Sequence, residues 1–147
     1  MFIYGKTSAN AIAVLSYLAA DPSRRAGSAE IARDRGISKA LTAKLLTQLA
    51  GAGLVTGQPG PGGGYTLGKP ANEISLMSIA SLFEQMSVPS LCPFGPNWCG
   101  HGDPCPLHDT IAERVESNRR FMEGTRLSVF VGETKRKTSG KKVKRYV

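Results

Sequence analysis

The sequence predicts a mainly α-helical fold with one small β-hairpin: a winged helix-turn-helix followed by a long C-terminal helix. Three observations lead there. Apolar residues recur at helical spacing through most of the first fifty positions. The stretch "GLVTGQPGPGGGYTLGKP" then brackets a glycine-proline tip with two short β-type runs. A second long helical period opens near Leu107. A composition of 41% hydrophobic and 20% charged residues describes a soluble globular chain. No apolar run approaches membrane-spanning length, so no membrane partner is expected and the protein reads as cytoplasmic.

The first helix is marked by Ala11, Val14, Leu15 and Leu18 at i, i+3, i+4 and i+7. That period outweighs the faint likeness of "KTSANAIAVLSYLAAD" to a signal peptide. Asp21-Pro22-Ser23 breaks the chain. Ser28 is the expected N-cap of a short second helix, with Glu30 in its first turn, Ile31 inward and Gly36 as its stop. Ser38 caps a third helix, whose buried stripe is Leu41, Leu45 and Leu49 and whose end is marked by Gly51 and Gly53. Two short helices joined by a turn of about three to four residues make a helix-turn-helix.

On the third helix Lys39, Ala40, Ala43, Lys44 and Thr47 point away from the leucines. Small residues let a backbone approach a groove, and lysines reach phosphates or base edges. A plain helical hairpin with a solvated face accounts for this stretch equally well. The next segment shifts the balance. Leu54-Val55-Thr56 and Tyr65-Thr66-Leu67 read as strands, and a strand after the glycines argues against a phosphate-cradling nucleotide loop. A hairpin directly after a helix-turn-helix is a winged helix. The third helix is then expected in the major groove of double-stranded DNA, with the hairpin against the backbone or minor groove. The expected DNA-facing set is Ser28, Ser38, Lys39, Ala40, Ala43, Lys44, Thr47, Gly62, Gly63, Gly64 and Tyr65.

Leu76, Ile79, Ala80 and Phe83 predict a further helix ending before Pro89. "LCPFGPNWCGHGDPCPLHD" follows. It holds all three cysteines, both histidines, four of the nine prolines and the only tryptophan. Its donors Cys92, Cys99, Cys105 and His108 are spaced C-x6-C-x5-C-x2-H. Three thiolates and an imidazole suit zinc or an iron–sulfur cluster rather than magnesium or calcium. A structural zinc site would usually contain a close C-x2-4-C pair; evenly long spacers favour a cluster. His101 is a competing donor. The odd cysteine count argues against a disulfide framework.

The last helix is expected from about Leu107 toward Leu127, with Leu107, Ile111, Val115 and Met122 on its apolar side and Glu116 paired to Arg119 or Arg120. A partner helix from a second subunit would cover it, which predicts a homodimer. Seven basic residues from Lys135 to Arg145 against Glu133 put +6 of the net +8 in a solvated tail. The organisation expected is a DNA-binding domain over 1–88, a cluster loop over 89–108, a dimerisation helix over 109–132 and a basic tail over 133–147.

"IARDRGISKALTAKLLTQLAGAGLV", "GPGGGYTLGKP", the cysteine loop ending "CPLHD" and "GTRLSVF" together resemble the IscR/NsrR/RirA group of bacterial regulators, the Rrf-two family. The resemblance runs from the first helix to about residue 130. It implies a dimeric winged-helix repressor or activator of palindromic promoters that senses iron, redox state or nitric oxide through an iron–sulfur cluster. It further implies Cys92, Cys99 and Cys105 as cluster thiolates and His108 as the histidine ligand of IscR-like members. The first cysteine gap is one residue longer than in those members. Gln58-Pro59 replaces a basic residue before the wing glycines, and no acidic residue stands near Ser8. The last departure favours His108 and a [2Fe–2S] cluster, with [4Fe–4S] as the alternative. No triad or carboxylate pair suggests an enzyme. A metal or cluster carrier using the winged helix for protein contacts is the competing function.

Overall fold

Helix α1 (Lys6–Ala20) forms on the predicted period and turns Ala11, Val14, Leu15 and Leu18 inward. The computed structural model describes residues 4–84 and 103–133. After α1 the chain runs through α2 (Ser28–Arg35), α3 (Lys39–Gly51), strands β1 (Val55–Gln58) and β2 (Gly64–Leu67), and a 3-10 turn at Ala71–Glu73. Helices α4 (Leu76–Ala80) and α5 (His108–Gly124) and a 3-10 turn at Leu127–Phe130 complete it. This is the predicted class, mainly helical with one antiparallel hairpin.

The helix-turn-helix closes as its capping residues dictate. Gly36 adopts the left-handed conformation (φ 65°) that ends α2, and its N–H reaches Arg33 O at 3.3 Å. Ser38 then caps α3, its Oγ accepting from Leu41 N–H at 3.2 Å. Ser28 does not cap α2. It is the first helical residue, and extended Gly27 precedes it without a side-chain bond. The reason lies upstream: Ala26 is held as a strand by Tyr65, its N–H donating to Tyr65 O at 3.1 Å and its O accepting from Tyr65 N–H at 2.8 Å. The extended backbone therefore lasts until Gly27. Along α3, Leu45 and Leu49 are buried as predicted, but Leu41 is only half-buried, and Thr42 and Leu46 fill the inner face beside them.

The wing pairs Val55 with Leu67, Thr56 with Thr66, Gly57 with Tyr65 and Gln58 with Gly64. Through the Ala26–Tyr65 bridge it also clasps the entry to α2. Gly64 has φ 126°, and a Cβ there would stand 2.9 Å from the Ala26 carbonyl carbon and oxygen. A Cβ on Gly63 would stand 2.1 Å from Gln58 O. Closing the hairpin therefore already requires glycine at both positions. Gly63→Ala is expected to destabilise the fold by roughly 1–3 kcal/mol in chemical denaturation. Gly27→Ala, where a methyl would meet nothing within 4 Å, is expected to cost no more than about 1 kcal/mol, the difference between glycine and alanine as an N-cap.

Leu15, Ile31, Leu45, Leu46, Leu49, Ile74 and Ile79 form one core, completed from the far end of the chain by Met122 and Leu127. Helix α5 ends at Gly124, short of Leu127, because the chain there turns back onto the core. Leu76 N–H donates to Thr125 O at 3.0 Å, Leu127 N–H to Ile74 O at 2.9 Å, and Gly132 N–H to Ala20 O at 2.9 Å. Helix α4 also stops early, at Ala80, and Ser75 caps it through Ser78 N–H at 3.0 Å. The predicted continuation through Phe83 is not helical: residues 81–84 form turns, with Leu82 N–H donating to Ile79 O at 3.2 Å and Phe83 N–H to Ala80 O at 3.0 Å, and positions 85–88 lie outside the described residues.

Candidate functional site

Helix α3 presents the face its sequence implied. Ser38, Lys39, Ala40, Ala43, Lys44 and Thr47 are exposed while Thr42, Leu45, Leu46 and Leu49 anchor the opposite side. Lys39 and Lys44 meet no carboxylate among the described residues. Thr47 turns its hydroxyl back to Ala43 O at 3.0 Å, so it offers its methyl and an acceptor outward rather than a free donor. Ser28 is half-buried at the start of α2.

In the wing, Gly60 (φ 90°) and Gly62 (φ 73°) are left-handed with open space where a side chain would stand. Nothing within the chain would obstruct a Cβ there, so a phosphate or sugar can approach the bare backbone closely. Tyr65 is half-buried, and a Cβ on Gly57 would stand 2.9 Å from its Cε1, so the ring packs against the opposite strand.

Sequence reasoning missed a polar cluster that fixes α2 against α1. Tyr17 Oη stands 2.8 Å from both Glu30 Oε1 and Asp34 Oδ2 and shares one proton between them. Arg24 pairs with Glu30, while Arg35 donates to Ser16 Oγ at 3.2 Å and lies 5.3 Å from the Tyr17 ring centre. The available signal was Glu30 and Asp34 at i, i+4 on α2, matched by one polar ring among the α1 leucines. Burial, the hydrogen bonds to Asp34 and Glu30, and their negative charge push the Tyr17 phenol up to about 12. Hydrogen bonds from Arg24 and Tyr17 hold the Glu30 carboxyl below its usual range.

These shifts have opposite consequences. Glu30 contributes stability that is present above its unfolded pKa and lost as acid protonates it in the folded state. Tyr17 contributes stability that is complete below pH ~10 and lost as pH rises toward 12. An absorbance titration of tyrosinate is expected to show one ring ionising near pH 12, absent in Tyr17→Phe.

Of the predicted metal ligands, Cys105 and His108 are described; Cys92 and Cys99 lie outside the described residues, as does the competing donor His101. The Cys105 thiol is buried, with 6% of the residue exposed, and His108 is exposed. The His108 N–H donates to Cys105 O at 2.9 Å, closing the turn that starts α5. Leu107 occupies the N-cap position with no side-chain bond. Among the described residues no three His, Cys, Asp or Glu side chains gather into a metal site. The donor chemistry of the full segment, three soft thiolates and an imidazole, fits zinc or an iron–sulfur cluster.

Along α5, Ile111 and Val115 are half-exposed, Leu107 and Phe121 are 48% and 46% exposed, and only Met122 is buried. Arg119 forks between Glu116 and Glu123, both at 2.7 Å, on the exposed surface of the helix. No helix among the described residues is long and apolar enough to cross a membrane.

With that geometry in place, the relatives are informative. A protein of Aquifex aeolicus named as an HTH-type transcriptional regulator is 30% identical over 125 residues, covering 84% of this chain and 87% of its own. The HTH-type transcriptional regulator IscR of Pectobacterium carotovorum is 39% identical over 103 residues, covering 70% of this chain; the match spans 62% of that protein. The solved structure of CymR, the global cysteine regulator of B. subtilis, superposes with a TM-score of 0.74 at 19% identity, over 88% of this chain and 97% of that one, and shows the shared fold. The family of iron-dependent transcriptional regulators, Rrf2, matches over residues 4–133, from just before α1 through the segment that returns from α5 to the core. The chain therefore belongs to the Rrf2 family of transcriptional regulators, DNA-binding proteins rather than enzymes.

Proposed function

We propose that this protein binds palindromic promoter DNA as a homodimer and that its affinity is set by an iron–sulfur cluster held by Cys92, Cys99, Cys105 and His108. One observation carries the reading. Cys105 and His108 sit in the turn that starts α5, while Met122 near the other end of that helix is buried in the core that also holds α3. A change in how the turn is held therefore bears on a rigid rod that reaches the DNA-reading unit.

The half-exposed stripe of Ile111 and Val115 and the exposed Leu107 and Phe121 suit a second copy of α5. In this reading α3 lies in the major groove through Lys39, Ala40, Ala43, Lys44 and Thr47. The wing meets the backbone through Gly62, with Gly63 and Gly64 shaping the tip. Two-fold symmetry matches the protein to a palindrome. When bound, the cluster supplies a cross-link sensitive to iron, oxidation and nitric oxide. The thiolates would hold it firmly and the neutral His108 imidazole less so. The absence of an acidic residue from the α1 sequence favours [2Fe–2S] over [4Fe–4S].

Protein purified without oxygen is expected to be coloured, with iron and acid-labile sulfide at about one cluster per subunit. Stoichiometric zinc without sulfide would refute the proposal.

A further inference from the structure

We propose that Glu84 is a positioning residue that latches the chain entering the cysteine segment onto the first turn of α1; its regulatory role rests on the cluster-controlled reading above. Helix α1 starts without local help. Its N-cap is Gly5, which has no side chain, and its first turn holds no acidic residue. The amide groups of a helix start need acceptors, and the positive end of the helix dipole favours a carboxylate.

Glu84 supplies both from 79 residues away. Its Oε2 accepts from Gly5 N–H at 2.8 Å and its Oε1 from Ser8 Oγ–H at 2.5 Å. Ser8 is fully buried, so a hydroxyl deprived of this acceptor would be stranded away from water. A Cβ on Gly5 would stand 2.5 Å from Glu84 Oε1 and 2.8 Å from Cδ. The bare cap thus makes room for the carboxylate. A side-chainless cap, a buried serine and a close approach converge on one residue.

Its place in the chain gives the latch a use. Glu84 N–H donates to Ala80 O at 3.0 Å, which fixes its backbone to the end of α4. Eight positions later comes Cys92, the first cysteine in the sequence. One residue therefore joins the start of α1, through its carboxylate, to the end of α4, through its amide. Because α1 packs on α2, α3 and β2, a displacement of Glu84 by even an ångström would break two charge-assisted bonds and loosen the helix that supports the DNA-reading pair.

The test uses the full chain, purified without oxygen, as wild type, Glu84→Ala, Glu84→Gln and Ser8→Ala. Each is measured for iron content, for hydrogen exchange at the amides of residues 5–9, and for the ratio of DNA affinities with and without the cluster. Glutamine can still accept from Gly5 and bond Ser8. Glu84→Gln is therefore expected to keep exchange within about threefold of wild type and most of the ratio, whereas Glu84→Ala speeds exchange by about tenfold or more.

In Glu84→Ala, iron content is expected to stay at the wild-type level while the affinity ratio collapses toward one. Ser8→Ala, which removes one bond of two and folds even should Glu84→Ala fail to, is expected to lower the ratio part-way. Unchanged exchange or a wild-type ratio in Glu84→Ala would overturn the latch, and so would loss of iron. A wild-type protein with a ratio of one would instead sink the cluster-controlled reading and, with it, the latch's regulatory role.

Discussion

Replacing Lys39 and Lys44 together by alanine is expected to weaken binding to a promoter palindrome by about 30-fold or more, since each base or phosphate contact contributes roughly 1 kcal/mol or more. Both side chains are exposed on α3 and neither meets a carboxylate among the described residues, so their charge is available to DNA. They lie outside the core, and the variant should fold as the wild type does. Fluorescence anisotropy at several salt concentrations separates the contributions. Each lysine that contacts a phosphate should reduce the slope of log affinity against log salt by roughly one on its removal. Unchanged affinity in the double variant would move the contact surface off α3.

The second large effect is expected at the cysteines. Cys92→Ala, Cys99→Ala and Cys105→Ala should each abolish stable cluster binding, read as loss of visible absorbance, iron and sulfide, because no other soft donor in the chain can replace a thiolate. His108→Ala should behave differently. The imidazole is an exposed, neutral donor that binds iron less firmly than a thiolate, so its loss is expected to shorten cluster lifetime or shift the spectrum while the fold survives. Burial of Cys105 and exposure of His108 underlie this asymmetry. A His108→Ala protein with the wild-type spectrum and lifetime would assign the fourth ligand to another group.

Elements whose cause is local are legible in the sequence itself. Gly36 and Ser38 define the turn between α2 and α3 through their own backbone and side-chain chemistry, and the α3 leucines need only a period of 3.6. What escapes a reading of the sequence depends on partners far along the chain. Ser28 loses the cap position because Tyr65, 37 residues on, holds Ala26 extended. Helix α5 ends at Gly124 because residues 125–127 pair with the start of α4. Leu46 and Thr42 are buried because α3 packs on α1, α2 and β1 together, which a single leucine stripe does not announce.

The candidate site shows the same division. The outward face of α3 follows from its own spacing, whereas the Tyr17–Glu30–Asp34 cluster and the Glu84 cap are long-range contacts between helices. Gly63 and Gly64 stand between the two cases. Their glycine-rich run marks the wing, but their steric need comes from the Gln58 and Ala26 carbonyls.

Whether cluster occupancy sets DNA affinity is decided by titrating one palindromic promoter fragment with a single anaerobic preparation. The preparation is divided, the cluster is removed from one half by chelation, and both halves are titrated at the same salt concentration. The two dissociation constants are expected to differ by about tenfold or more, a coupling of roughly 1.4 kcal/mol. Equal constants for the two halves would contradict it.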